Sequence, residues 1–293
     1  MKYFGLCWCM ILLFGGMVFA GQDHVVSPRI VSLSPAVTEI VFYMGLEDHL
    51  VGVTSFCNYP EEAKKKPRVG SVVDVNLEYL IELSPDYIIY VPSLLNQKDQ
   101  LKLLSAQKVG VEYNTIDSIL ETIHIIGKIL NAEEKAEELA SFLQSEIQKI
   151  RVQTANLKKP KVLFVISREN SSLRNIYAIG RESYLHEILD AAGAQNIYHD
   201  VHMSYPRVSV ESMIERNPDV ILDFHPGALM GESNNARELI NPWLDLPVNA
   251  SREGRVYMIT GDEFVRPGPR LILALKKIVY LIHPELNEEN DGQ

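Results

Sequence analysis

Cysteine is scarce in this chain: three among 293 residues, two of them, Cys7 and Cys9, inside the first twenty. That leaves Cys57, and one thiol cannot close an internal disulfide. Stability must therefore come from an apolar core, which a chain of this length can build. Beyond the first twenty residues no apolar run is long enough to cross a bilayer. Basic charge is also short, with 28 Lys and Arg against 38 Asp and Glu and a formal net charge of −10. Such an excess of acid disfavours nucleic acid and anionic membrane as partners. Catalytic signatures are missing as well. The sequence has no Gly-x-Ser-x-Gly, no phosphate-cradling glycine loop and no paired metal-ligand helix motif. Ser34 stands before Pro35 and reads as a helix cap rather than a nucleophile. These absences point away from an enzyme.

Residues 1–20 have Lys2 at a positive start, an apolar middle and a Val18-x-Ala20 end. This pattern predicts a secretory signal peptide cleaved after Ala20, and an exported, periplasmic chain. Cys7 and Cys9 would leave with it.

Residues 132–157 contain neither Gly nor Pro and are rich in strong helix formers. Ala136, Leu139, Leu143, Ile147, Ile150 and Leu157 recur at steps of three, four or seven, so one narrow face is apolar. One helix here would run ~38 Å at 1.5 Å per residue and span a domain.

Two similar units flank that helix. VNLEYLIELSPDYII at 75–89 and VSVESMIERNPDVIL at 208–222 align without gaps and share seven of fifteen positions. Each reads as a cap at Asn76 or Ser209, a short helix stopped before Pro85 or Pro218, and a β-rich run. Repeated α/β units on both sides of one long helix predict two α/β lobes joined by a strut. A cleft between lobes is a natural ligand site. The predicted divisions are a signal peptide at 1–20, an N-terminal α/β lobe at 21–131, a bridging helix at 132–157 and a C-terminal α/β lobe at 158–293.

Further strands are expected at 29–33, 50–53, 111–113, 161–166 and 255–260. Helices are expected at 34–45, 95–106, 117–130, 183–192, 237–244 and 270–283. In open α/β sheets the loops after the strands bind ligands. Those at 54–60, 199–207 and 261–269 carry Phe56, Tyr59, Tyr205 and Phe264, with Asp262 and Arg266 adding charge. The aromatics suit a bulky ligand, part flat and part polar; packing in the core or hinge would use the same residues. His199 and His202 lie near Asp200, and His225 opens another loop. A bare metal site would need three or four such donors to converge, so no protein-held metal is expected, although His202 could touch a metal carried by the ligand. Glu78 and Glu211 match between the repeats, each in a first helical turn. Helix-dipole compensation explains a Glu there, and so does docking of two matched carboxylates onto basic sockets of a partner.

The blocks RIVSLSPAVTEIVFYMGL, VGVTSFCNYP, NLEYLIELSPDYII, YPRVSVESMIERNPDVI and ITGDEFVRPGPR occur in that order. Together they resemble the periplasmic binding proteins for vitamin B12 and iron–siderophores, the receptors of ABC importers, over nearly all of the chain after the leader. The resemblance implies two α/β lobes on one rigid helix (class III), no catalysis and no cofactor of the protein's own. It implies a monomer that takes a metal chelate, a corrinoid above all and otherwise a ferric siderophore or haem, to a membrane permease and its ATPase. It places ligand contacts at Phe56, Tyr205, Asp262, Glu263, Phe264, Val265 and Arg266, and permease docking at Glu78 and Glu211. Two positions that hold pocket tryptophans in a well-known vitamin B12 receptor are here Val72 and Val91, which implies a less aromatic pocket. That receptor's disulfide has no counterpart.

Overall fold

The computed structural model describes residues 27–95, 98–170, 172–225 and 236–288. The expected signal peptide lies outside the described residues. The first lobe runs β1 (Ile30–Ser32), α1 (Pro35–Tyr43), β2 (Leu50–Val53), α2 (Leu77–Leu83), β3 (Tyr87–Tyr90), α3 (Lys98–Leu101), β4 (Gln107–Gly110) and α4 (Ile116–Ile129). Helix α5 (Glu133–Thr154) crosses to the second lobe. There follow β5 (Lys161–Ser167), β6 (Ile176–Ala178), α6 (Tyr184–Ala191), β7 (Gln195–Asn196), β8 (Arg207–Val208), α7 (Val210–Arg216) and β9 (Val220–Phe224). The chain then adds α8 (Ala236–Leu244), α9 (Asn249–Arg252), β10 (Val256–Ile259), α10 (Leu271–Ile282) and α11 (Glu285–Glu288).

The first sheet has the order β2-β1-β3-β4, all parallel. The second runs β10-β9-β5-β6-β8, with β7 paired to β5. Its β10, β9, β5 and β7 are parallel, while β6 and β8 form an antiparallel edge. The central strands β1, β3 and β5 are buried on two faces, so they read as nearly continuous apolar runs. Alternation assigns the faces: Val162 and Phe164 of β5 join one core, Leu163 and Val165 another. In the first lobe Ile30 and Ile89 face the shared core, Val31 and Ile88 the outer one.

Helix α5 is continuous for 22 residues, about 33 Å at 1.5 Å per residue. It is shorter than the 132–157 expected, since Ala132 precedes it and the chain turns after Thr154. Its apolar face, Ala136, Leu139, Leu143, Ile147 and Ile150, is buried as its spacing requires. It packs on α4 of the first lobe and on α6 and α10 of the second. At Gly127 of α4 a Cβ would fall 2.4 Å from the Cβ of Ala136, so the two helices approach closely only through glycine. One apolar cluster runs unbroken from Ile30 through α5 to Leu286.

The repeats fold alike. Asn76 accepts from Tyr79 N, and Ser209 from Ser212 N. Both helices end on a left-handed residue, Ser84 and Asn217, each with φ 45°. Asp86 then accepts from Arg29 N at 2.7 Å, and Asp219 from Lys161 N at 3.0 Å, so each Pro-Asp caps the start of the neighbouring strand.

Candidate functional site

The carboxyl ends of the two sheets meet in one cleft of about 450 Å³. The first lobe supplies Ser34 to Ala36 after β1, Phe56 after β2, Val91, Ser93 and Leu94 after β3, Glu112 to Asn114 after β4, and Val72. From the second lobe come Tyr184, Tyr205, Asp262, Val265, Arg266 and Pro267. Val72 and Val91 both reach the cleft, which fixes aliphatic surface at two points of its wall.

Phe56 rides on a braced turn. Arg68 Nη1 donates to the carbonyls of Thr54 at 2.6 Å and Cys57 at 2.8 Å. The Cys57 thiol is buried beside the hydroxyls of Thr38 and Thr54, each 3.2 Å away. With its neighbours fixed inward, the Phe56 ring is left 56% exposed. Tyr205 is held from the other side. Gly180 N donates to Ser204 O and Ala178 N to Pro206 O. A Cβ on Gly180 would sit 2.1 Å from Met203 O, so this loop can lie so close only over glycine.

Of the other expected contact residues, Asp262, Val265 and Arg266 line the cleft, but Glu263 and Phe264 do not. The chain forms a 3-10 turn over Asp262–Phe264, and this turns two consecutive side chains inward. Phe264 is 1% exposed and packs on Phe164 and Phe224. Glu263 is buried against Lys277 and Arg270. Burial raises the Glu263 carboxyl, but the Lys277 hydrogen bond and nearby cations outweigh it and hold it below the usual range. These two residues support the loop from behind.

The cleft's tyrosines differ in freedom. Tyr184 OH donates to Phe264 O at 2.9 Å, and burial lifts its phenol well above the ordinary value. Tyr113 OH meets Ser34 Oγ at 3.4 Å, and burial again raises its phenol. Tyr205 is 42% exposed at the rim. Arg266 is held among three side chains. Its Nη2 lies 2.8 Å from Asp262 Oδ2, its Nη1 donates to Asn58 Oδ1, and Glu39 Oε1 is 3.7 Å away. Glu39 belongs to α1 and is 3% exposed; it also receives Arg270 through Nε at 2.8 Å and Nη2 at 2.5 Å. Arg270 in turn lies over the Tyr59 ring, 4.0 Å from its centroid. The lobes are thus joined by charge at the floor of the cleft.

The described histidines stay apart from it. His199 Nδ1 lies 3.0 Å from Asn196 O, His202 is exposed 4.0 Å from Glu182, and Asp200 is taken by Arg216. Among the described residues no three potential metal ligands come together. His225 is buried with Asp223, at 3.0 Å. Asp223 also accepts from Arg168 Nε at 2.9 Å, Arg168 Nη2 at 2.7 Å and Trp243 Nε1 at 2.7 Å. Glu78 and Glu211 are exposed at equivalent places on their lobes. Glu211 accepts from its own amide and the Ser209 hydroxyl, which hold its carboxyl below the usual value.

Glu112, Tyr113 and Asn114 were not among the expected contacts. The expected strand at 111–113 is in fact β4, four residues earlier. Gln107–Gly110 has one Val among Gln, Lys and Gly, so its composition hides an edge strand. With β4 placed correctly, residues 112–114 become a carboxyl-end loop of the kind that binds ligands.

Two parallel-sheet lobes on one rigid helix, with a cleft between their strand ends, define a binding protein rather than an enzyme, of the class III periplasmic type. A family model described as "Periplasmic binding protein" matches residues 30–262, and the chain belongs to that family. It is 30% identical to an uncharacterized ABC transporter substrate-binding lipoprotein of Bacillus subtilis, over 89% of this chain and 82% of that one. It is 28% identical to the vitamin B12-binding protein of Salmonella typhimurium, over 86% of this chain and 89% of the other. The solved periplasmic heme-binding protein HutB of Vibrio cholerae superposes with a TM-score of 0.76 at 26% identity, covering 88% of this chain and 100% of that one. The protein is the substrate-binding component of an ABC importer, a system completed by a permease and an ATPase.

Proposed function

We propose that this protein captures a corrinoid, cobalamin or a close relative, in the interlobe cleft and delivers it to its permease. The observation that carries the reading is the charge of the cleft. Among the described lining residues, the carboxylates of Glu112 and Asp262 face a single guanidinium, Arg266, whose partners are already in place. An anion such as a haem propionate or a catecholate siderophore would lose its hydration for no free cation. A corrinoid rim of neutral amides finds hydroxyl, amide and carboxylate partners instead. Phe56 and Tyr205, from opposite lobes, offer exposed rings to a flat macrocycle. Asp262, Val265 and Arg266 complete the contact set, with Glu263 and Phe264 acting through the loop they anchor. The metal arrives with the ligand, and the protein holds no cofactor of its own.

Calorimetry of the purified protein with cyanocobalamin, cobinamide, haem and ferric siderophores tests this. Corrinoid binding at one site per chain is expected, and no binding to any corrinoid would overturn it. One observation favours a second reading, a ferric chelate such as haem: Tyr205, a phenol, lines the cleft and is 42% exposed. That reading requires a phenolate–iron charge-transfer band that disappears in Tyr205→Phe.

The chain acts as a periplasmic monomer freed of its leader, which sedimentation of the exported protein would check. Glu78 and Glu211 dock on basic sockets of the permease. Reversing both to Lys should abolish uptake while ligand binding survives, and normal uptake by that variant excludes the docking role.

A further inference from the structure

Glu39 is not among the residues that line the cleft, yet it lies beside Arg266, the one cation among the described lining residues. It lies on α1 of the first lobe, 3% exposed, between two guanidinium groups of the second. Arg270 grips it with two hydrogen bonds. Arg266, the cleft residue, stands 3.7 Å from the same carboxylate on one side and 2.8 Å from Asp262 on the other. Arg270 has a further carboxylate in Glu263, and Glu263 has Lys277. Positive and negative groups alternate along this chain, so its charges cancel. Buried pairs are screened little by salt or solvent, so a missing member would be felt a few ångströms away in the cleft.

We infer that Glu39 is a positioning residue that masks Arg266 and so sets the charge selectivity of the cleft. This deepens, and rests on, the corrinoid reading above. With the Glu39 carboxylate in place, the ligand meets Glu112 and Asp262 and a guanidinium flanked by two carboxylates. With Glu39 replaced by a neutral side chain, the Arg266–Arg270 pair carries one positive charge more behind the cleft wall, and anions become acceptable. Glu39 thereby ties two properties together: the contact that joins the lobes also fixes which charge of guest they accept.

The test compares two probes with the same ring and opposite charge, aquacyanocobinamide and the polycarboxylate dicyanocobyrinic acid. Their affinity ratio is measured for the wild type, Glu39→Gln, Arg270→Gln and the double variant. Glu39→Gln should move the ratio toward the polycarboxylate by about tenfold. Arg270→Gln should move it the opposite way, because Glu39 is left with Arg266 alone. The double variant should return to the wild-type ratio, which a purely structural loss would not do. If Glu39→Gln fails to fold, the opposite shift of Arg270→Gln still decides. Corrinoid binding with ratios unchanged in the variants, or shifted in the same direction by both single changes, overturns the masking and leaves the corrinoid reading standing. Absence of corrinoid binding to the wild type overturns both.

Discussion

The two repeat units agree where backbone geometry is demanding and part where each lobe builds its own interior. Leu80 and Met213 are both 0% exposed under their helices. Ser84 and Asn217 share one left-handed conformation, and Asp86 and Asp219 cap neighbouring strands in the same way. One residue beyond the repeat the likeness stops. Tyr90 ends β3 half-buried at the edge of an apolar cluster. Its counterpart Asp223 is fully buried, with Arg168, His225 and Trp243 all turned to one of its oxygens. The duplicated segment therefore carries a folding unit, while the strand end is free to diverge.

The sharpest contrast should come from that divergence. Asp223→Ala leaves the buried Arg168 guanidinium without its carboxylate, and about 3–5 kcal/mol of stability should be lost. Tyr90→Phe should change it by less than about 0.5 kcal/mol. Urea unfolding with an unchanged slope checks both, and equal losses at the two sites would break the comparison. Next, Leu80→Ala and Met213→Ala should each cost about 2–4 kcal/mol. Losses differing by more than a factor of two would show that the two helices are not equivalent supports.

A smaller effect is expected at the strand caps. Burial raises the Asp219 carboxyl, but hydrogen bonds from Asn249 and Lys161 N, with Lys158 and Lys161 nearby, prevail and hold it below the usual aspartate range. A depressed folded value means the contribution is present above the unfolded pKa near 4 and lost as pH falls through the folded one. Asp219→Asn should thus cost about 0.5–1 kcal/mol at neutral pH, and the gap to the wild type should close on acidification. A gap that widens in acid would refute this. Least of all, Glu78→Gln and Glu211→Gln should lower the unfolding midpoint only slightly, since both carboxylates are exposed and lose no more than first-turn contacts such as those of Glu211 with its amide and Ser209.

The strut and the duplicated units were legible because both are local: heptad-like spacing fixes one buried face of α5, and a cap, a stop and a proline recur within fifteen residues. Most of β1, α1, β2, α4, β5, α6, β9 and α10 fell where their apolar periods placed them. The short antiparallel edge, β6 and β8, went unseen because Ile176–Ala178 and Arg207–Val208 are too brief to show a period. In the site, Phe56, Tyr205, Asp262, Val265 and Arg266 converge. Within the contiguous segment 262–266, a 3-10 turn sends Glu263 and Phe264 inward while the other three line the cleft. Glu39 was invisible as a partner of Arg270 because 231 residues separate them.

The apolar mass that runs from Ile30 along α5 to Leu286 belongs to neither lobe alone. In outline the molecule has two halves, but thermodynamically it should be one. Heating should give a single endotherm whose calorimetric and van't Hoff enthalpies agree, and a fragment ending before α5 should expose a greasy flank and fail to fold.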